Sequence, residues 1–138
     1  MRKTLSAVIL AAVALTPVAC KQSSEGGAPG TAGSFKFQRD GTQAMDPTLK
    51  PGESKTVEVK LVRGSDFHRG VKFSVKGTDH VSAEVTPDAA KENESPTISV
   101  KVTAKADAPD GEGQVVLTGT PDGGGSATTE TIKVTVKK

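Results

Sequence analysis

The chain has 138 residues, with 18 basic and 16 acidic side chains and a formal net charge of +2. Its length suits one ordinary domain, and it contains four Phe but no Trp or Tyr. Since Arg2 and Lys3 fall in a predicted leader, the other 16 basic residues balance the 16 acidic ones. A neutral chain without aromatic platforms lacks the charge and stacking surfaces that bind nucleic acid, which excludes nucleic acid as a partner.

The first 19 residues have the organisation of an export signal. Arg2 and Lys3 form a short positive segment, residues 5–15 are uncharged and rich in Ala, Val and Leu, and small residues precede Cys20. The apolar run is about half of the roughly 20 residues that a membrane-spanning helix needs. We therefore predict a signal peptide over residues 1–19.

The residues at the predicted cleavage point, Val18-Ala19-Cys20, resemble the end of a bacterial lipoprotein leader. The resemblance implies that the Cys20 thiol is diacylated, that the leader is removed and that the new amine is acylated too. Lys21 follows the cysteine, which by the enterobacterial sorting pattern favours the outer membrane. The expected location is the periplasmic face of the outer membrane or the cell surface. The alternative for a sole cysteine is an unpaired thiol in an ordinary secreted protein.

Residues 20–33 consist of the cysteine followed by small and polar residues, with no large apolar side chain. Nothing in this segment offsets the entropy lost on ordering it, so it is predicted to be a flexible tether. A Gly- and Ser-rich segment of this length spans about 20 Å, which would lift a domain clear of lipid headgroups.

Residues 34–138 show the period of two that is typical of strands with one buried face. The alternation predicts about seven strands, at 35–37, 55–63, 70–76, 81–85, 98–102, 115–117 and 132–136. No sustained helical period follows the leader, so short antiparallel connections are expected. We predict an all-β, immunoglobulin-like sandwich. One sheet would hold the first, second and fifth strands, with the fourth as a further candidate, and the other sheet the third, sixth and seventh.

Three segments resemble bacterial immunoglobulin-like modules, which are appended to secreted glycosidases, peptidases and surface proteins. They are Lys-Pro-Gly-Glu-Ser-Lys-Thr-Val at 50–57, the strand and Ala-Pro-Asp-Gly turn at 98–111, and the closing Gly-Gly-Gly-Ser-Ala-Thr-Thr-Glu-Thr-Ile-Lys-Val-Thr-Val at 123–136. The likeness covers residues 35–136 and is one of pattern, with no catalytic signature. Gln114 stands where such modules often have a Tyr, which excludes a tyrosine corner.

Chemical motifs are missing from the sequence after Cys20. It contains no G-x-S-x-G, P-loop, G-x-G-x-x-G, H-E-x-x-H or paired-cysteine metal motif. His68 and His80 flank the third predicted strand, so they should lie at opposite ends of the sandwich. The chain is therefore predicted to be a non-enzyme without a cofactor or a metal site.

Two loop regions hold candidate interaction residues. Phe67 and His68 lie in a charged loop at 63–70 that could serve recognition, although we favour the alternative, in which Phe67 folds back to cap the core and the polar residues are solvated. Acidic and histidine side chains should converge at the other end: Asp79, His80, Asp107, Asp110 and Glu112. Their oxygens could bind a cation. We favour the alternative, in which these residues form ordinary turns such as the one expected at 109–111.

Counting strand reversals from the tether places Phe67 and His68 near the membrane. Asp110 and Glu112 would then point away from it. Taken together, the sequence predicts a lipid-anchored, non-enzymatic cell-envelope module with a structural or protein-interaction role and an envelope protein as partner. The alternative is a small ligand- or cation-binding envelope lipoprotein.

Overall fold

A computed structural model describes residues 20–27 and 33–138 of the chain. The predicted signal peptide lies outside these residues, as does the part of the predicted tether at 28–32. Within the two described ranges, no helix has the length and apolarity to span a bilayer.

The described residues form eleven strands and a single 3₁₀ turn at Gly41–Ala44. The strands are β1 (Cys20–Gln22), β2 (Gly26–Gly27), β3 (Ser34–Asp40), β4 (Thr48–Leu49), β5 (Ser54–Arg63), β6 (Val71–Gly77), β7 (Val81–Thr86), β8 (Ala89–Ala90), β9 (Thr97–Ala104), β10 (Gly111–Pro121) and β11 (Thr128–Val136).

Two sheets pack face to face. The first has the order β1-β3-β5-β9-β7, with β2 also beside β3, and the second has the order β4-β11-β10-β6-β8. The seven longer strands divide between the sheets as the sequence predicted, with β7, the fourth of them, joining the first sheet. This arrangement of four and three strands is the immunoglobulin-like topology, so the predicted fold is confirmed.

The core lies between the sheets and follows the predicted alternation. On β9, the side chains of Ile98, Val100 and Val102 are fully buried, while Lys101 between them is exposed. The same alternation runs along β11, where every second side chain is buried. Each strand therefore contributes one apolar face to a shared interior, which is the main stabilising contribution expected for a chain with so few aromatic residues.

The short strands were not predicted. β4 pairs with the end of β11 in parallel, Thr48 opposite Thr135 and Leu49 opposite Val136, which departs from the expected antiparallel connections. The reason is that the chain leaves the first sheet after β3, passes through the 3₁₀ turn and joins the edge of the second sheet. Leu49 becomes fully buried there. A pair of this length is too short to produce a recognisable alternation in the sequence.

The described part of the predicted tether does not stand clear of the domain. Residues 20–22 pair with Asp40, Arg39 and Gln38, and residues 26–27 pair with the start of β3. Pairing along a strand edge uses backbone hydrogen bonds, which do not require large side chains. Gly26 also lies under the ring of Phe35, which a Cβ atom would approach to 2.8 Å. The absence of apolar residues therefore did not prevent this segment from packing.

This return of the chain also changes the expected position of Cys20. The tether interpretation placed the anchor beside the beginning of the first long strand. In the structure, Cys20 lies opposite Asp40, the last residue of β3. The expectation that Phe67 and His68 lie near the anchor and Asp110 and Glu112 far from it loses its geometric basis.

Arg39 forms a buried ion pair between the sheets. Its side chain continues the inward set of Phe35 and Phe37 and is 1% exposed. Arg39 Nε donates to Glu130 Oε1 at 2.8 Å, and the guanidinium also donates to the carbonyl oxygens of Gln43 at 3.1 Å and Thr131 at 3.3 Å. These bonds compensate for removing the two charges from water and join β3 to β11.

Gly119 on β10 provides a first test of the core. A Cβ atom at this position would lie 2.6 Å from Phe37 Cζ and 3.1 Å from Phe35 Cε2. Gly119→Ala should therefore lower the free energy of unfolding by about 1–3 kcal/mol, as overpacked cores do. Urea titration measures the change, with Thr118→Ala as the control on the opposite face. Equal stability of the two variants would contradict the close packing of β10 on the Phe side chains.

Candidate functional site

The Cys20 side chain is exposed at the outer edge of the first sheet. Its Sγ donates a hydrogen bond to Asp40 Oδ1 at 3.2 Å. This bond, together with the negative charge of Asp40, raises the pKa of the Cys20 thiol above its usual value. The pKa of Asp40 is lowered, first by the hydrogen bond from the Gln38 amide and then by those from Cys20 and Lys60. The exposed side chain leaves space for a substituent on Sγ.

Lys21, the residue after the cysteine, is bound to the domain. Its Nζ lies 2.9 Å from Asp46 Oδ2, and Asp46 Oδ1 lies 3.4 Å from Arg39 Nη2. Partial burial raises the pKa of Asp46, but the hydrogen bond and charge of Lys21 and the charge of Arg39 outweigh it, so the pKa of Asp46 is lowered overall. This contact connects the segment that carries Cys20 to the buried ion pair of Arg39.

Phe67, a candidate interaction residue, belongs to the core. Its side chain is 2% exposed, and its ring centroid lies 4.7 Å from that of Phe35. The guanidinium groups of Arg63 and Arg69 lie 5.1 Å and 5.4 Å from the Phe67 ring centroid. Phe67 thus caps the end of the core, as the alternative interpretation of this loop expected, and its ring is not available to a partner.

His68 is exposed but held within the same loop region. A hydrogen bond of 2.6 Å joins His68 Nδ1 to Asn93 Oδ1, and the Asn93 N–H donates to the His68 carbonyl at 3.0 Å. His80 lies in the turn at the other end of β6, so the two histidines are separated as predicted. A joint metal site between them is excluded by this separation.

The acidic residues at the far end line one cleft of about 260 Å³. Of the side chains expected to converge, Asp79, His80, Asp110 and Glu112 line it, and Asp107 does not. The Asp110 carboxylate accepts a hydrogen bond from the Lys138 N–H at 3.0 Å, which is turn and terminus chemistry. Across residues 20–27 and 33–138, no cluster of three or more His, Cys, Asp or Glu side chains could hold a metal ion.

A larger cleft of about 430 Å³ lies on the outer face of the second sheet. It is formed by the last residues of β6 and by the outward side chains of β10, among them Lys76, Gln114, Val116 and Thr118. The cleft is open and holds hydroxyl, amide and amine groups without a carboxylate. Sequence analysis did not identify this surface, because its residues are ordinary outward positions of two strands that become neighbours only in the folded sheet.

Comparisons with known proteins support the fold. No protein-family model matches the chain, and neither does any curated protein. A solved FixG-related protein from Vibrio parahaemolyticus is similar at 13% identity with a TM-score of 0.50, over 63% of this chain and 82% of that one. At this identity the likeness shows a shared fold and no activity.

Two further similar structures come from larger proteins. Domains 4 and 5 of the S-layer protein SbsC match at 15% identity with a TM-score of 0.43, over 66% of this chain and 46% of that one. A family 123 glycoside hydrolase from Clostridium perfringens matches at 11% identity with a TM-score of 0.47, over 68% of this chain and 23% of that one. This chain thus spans less than half of either structure, and no function is transferred from them.

Proposed function

We propose that the protein is a lipid-anchored, non-enzymatic module of the cell envelope that acts through protein contacts. The observation that carries the proposal is Cys20, the only cysteine of the chain, which directly follows Val18-Ala19 and has an exposed side chain. Its side chain lies at the outer edge of the first sheet, where acyl chains meet no core packing. The immunoglobulin-like fold, which serves many binding proteins, supports the interaction role by analogy alone.

Loss of the thiol tests the anchor. Cys20→Ser should yield either an unprocessed precursor or an exported protein without lipid, because the serine cannot be diacylated as a lipoprotein cysteine is. Fractionation of cells into membrane and aqueous fractions, with the intact mass of the purified protein, measures the change. The wild type should partition with membranes and carry the mass of its acyl chains.

A displaced cysteine serves as the matched control. The double variant Cys20→Ser, Ser24→Cys keeps a thiol in the same segment but moves it away from Val18-Ala19. It should behave as Cys20→Ser does. If wild type carries no lipid mass, or if Cys20→Ser remains in the membrane at the native size, the anchor proposal is wrong.

Binding of a small ligand at the acidic cleft is the second candidate function. The convergence of Asp79, His80, Asp110 and Glu112 on one cleft is the observation in its favour. A ligand that binds only the folded protein must raise the melting temperature. A rise on addition of a small organic cation such as a polyamine that Asp110→Asn abolishes would support this candidate over a pure interaction role.

A further inference from the structure

One lateral side of the sandwich has an open strand edge. Within the described ranges, β7 is the last strand of the first sheet and pairs only with β9. The Lys105 N–H donates to the His80 carbonyl, so the backbone groups of His80 point towards β9. Every second residue of a strand directs its backbone groups to the same side, so those of Ser82, Glu84 and Thr86 also point towards β9. The N–H and C=O groups of the alternate residues, Ala83 and Val85, therefore point away from the sheet.

Some backbone groups of β6 also point towards the lateral side of the sandwich on which β7 lies. The Asp122 N–H donates to the Gly70 carbonyl, which directs the even-numbered residues of β6 towards β10. The Phe73 N–H points the other way and donates to Asp88 O. Val75 follows two residues later, and β8 reaches only as far as Lys72, so the Val75 backbone groups have no strand beside them in the described chain.

Apolar side chains lie beneath these free backbone groups. The three side chains that pack against the core while remaining partly exposed are Val75, Ala83 and Val85. The turn at 78–80 closes one end of the gap between β6 and β7, and β8 closes the other. The result is a short apolar seam with unpaired donors and acceptors along one side, which is the arrangement that binds an added strand.

The charge beside the seam selects the partner. Glu84 is exposed on the outer face of β7 and lies directly opposite Lys101 on β9. Among the described residues the ion pairs within 4.0 Å involve other side chains, so Lys101 forms no salt bridge with Glu84 and the carboxylate can still contact a further cation. A strand added next to β7 would place one outward side chain beside this carboxylate, and a Lys or Arg there would be favoured.

We propose that an extended segment of a partner protein binds as an additional strand along β7. Its backbone pairs with Ala83 and Val85, its alternate apolar side chains cover the seam with Val75, and a basic side chain faces Glu84. The proposal deepens the protein-interaction part of the proposed function and does not depend on the lipid anchor. A partner strand would extend the four-stranded arrangement of the first sheet without displacing any element of the fold.

A second copy of this chain is a poorer occupant. In such a dimer, two β7 strands would pair antiparallel, with Ala83 of each copy opposite Val85 of the second copy. That register brings the two Glu84 carboxylates directly opposite each other, which destabilises a strand pair. A basic peptide avoids this repulsion.

Amide hydrogen exchange of the full chain in detergent micelles tests the edge itself. The amides of Ala83 and Val85 should exchange at least about tenfold faster than those of Ser82 and Glu84, which are in the same strand but paired with β9. Equal protection of all four amides at every protein concentration would overturn the proposal. Protection of Ala83 and Val85 that grows with protein concentration would identify the second copy as the occupant and overturn it too.

A designed peptide then tests the partner. The probe has the length of β7, six residues, with Val at alternate positions and Lys at the central outward position. Its addition should slow exchange at Ala83 and Val85 by roughly threefold or more while leaving Ser82 and Glu84 unchanged. No change at a peptide concentration approaching its solubility limit would overturn the proposal.

Charge reversal provides the matched control. Glu84→Lys should weaken binding of the Lys peptide by about fivefold and strengthen binding of the same peptide with Glu in its place. Glu58→Lys, an exposed outward position on the same face but on the interior strand β5, should change neither affinity. If the two variants behave alike, Glu84 does not select the partner and the proposal fails. Failure of the Cys20→Ser test would leave this result unchanged, so the two proposals can be separated.

Discussion

Val100→Asp is expected to unfold the protein. Val100 is fully buried on β9, between Val57 of β5 and Val85 of β7. An unpaired carboxylate at this position costs several kcal/mol, a large part of the roughly 5–15 kcal/mol by which domains are stable. Far-ultraviolet circular dichroism with a urea titration should show no folded baseline or a strongly lowered midpoint.

Lys101→Asp is the control for this prediction. Lys101 is exposed on the opposite face of the same strand, so the substitution has the same local effect on strand propensity. It places two carboxylates opposite each other, since Glu84 pairs with this position, and should cost no more than about 1 kcal/mol. Comparable destabilisation by both substitutions would contradict the assignment of inner and outer faces.

Arg39→Met is expected to cost about 3–5 kcal/mol of the free energy of unfolding. The substitution leaves the Glu130 carboxylate, which is 5% exposed, without its cation. The double variant Arg39→Met, Glu130→Met removes both charges and should recover most of the loss, because it leaves no unpaired buried charge. Urea titrations of the wild type and the two variants measure the difference.

An exposed ion pair on the same edge shows what a surface contact contributes. Lys60 Nζ lies 3.1 Å from Asp40 Oδ2, and the Lys60 side chain is 61% exposed. Lys60→Met should change stability by less than about 1 kcal/mol. If Arg39→Met lowered the free energy of unfolding as little as Lys60→Met does, the Arg39 side chain could not be paired and buried as the structure places it.

The long strands were predictable because burial of one face requires a period of two, and residues such as Val57, Val59 and Leu61 display it without interruption. The division of strands between the sheets followed from a known topology. Arg39 was not recognised as a core residue, although it continues the inward set of Phe35 and Phe37. Its burial depends on Glu130, which is far away in the sequence and carries no local sign of the pairing.

The candidate site was less predictable than the fold. The convergence of Asp110 and Glu112 with His80 follows from strand direction, and the structure places all three around one cleft. The sequence could not settle whether Phe67 serves recognition or caps the core, because capping requires space for its ring beside Phe35 in the folded interior. The open edge at Ala83 and Val85 is a property of strand order, which no local pattern of residues reveals.

The pairing of residues 20–27 with β3 determines how far Cys20 can lie from the folded domain. While β1 and β2 are paired, Cys20 is held at the β1 edge of the first sheet, and β7 forms the opposite edge of that sheet. β1 has three paired residues on a sheet edge and β2 has two, so a force on the proposed anchor would separate both from β3 before the core loosens. The eight described residues from Cys20 to Gly27 could then extend over about 25 Å. The pairing of β1 and β2 would thereby set how far the folded unit can reach from the proposed lipid on Cys20.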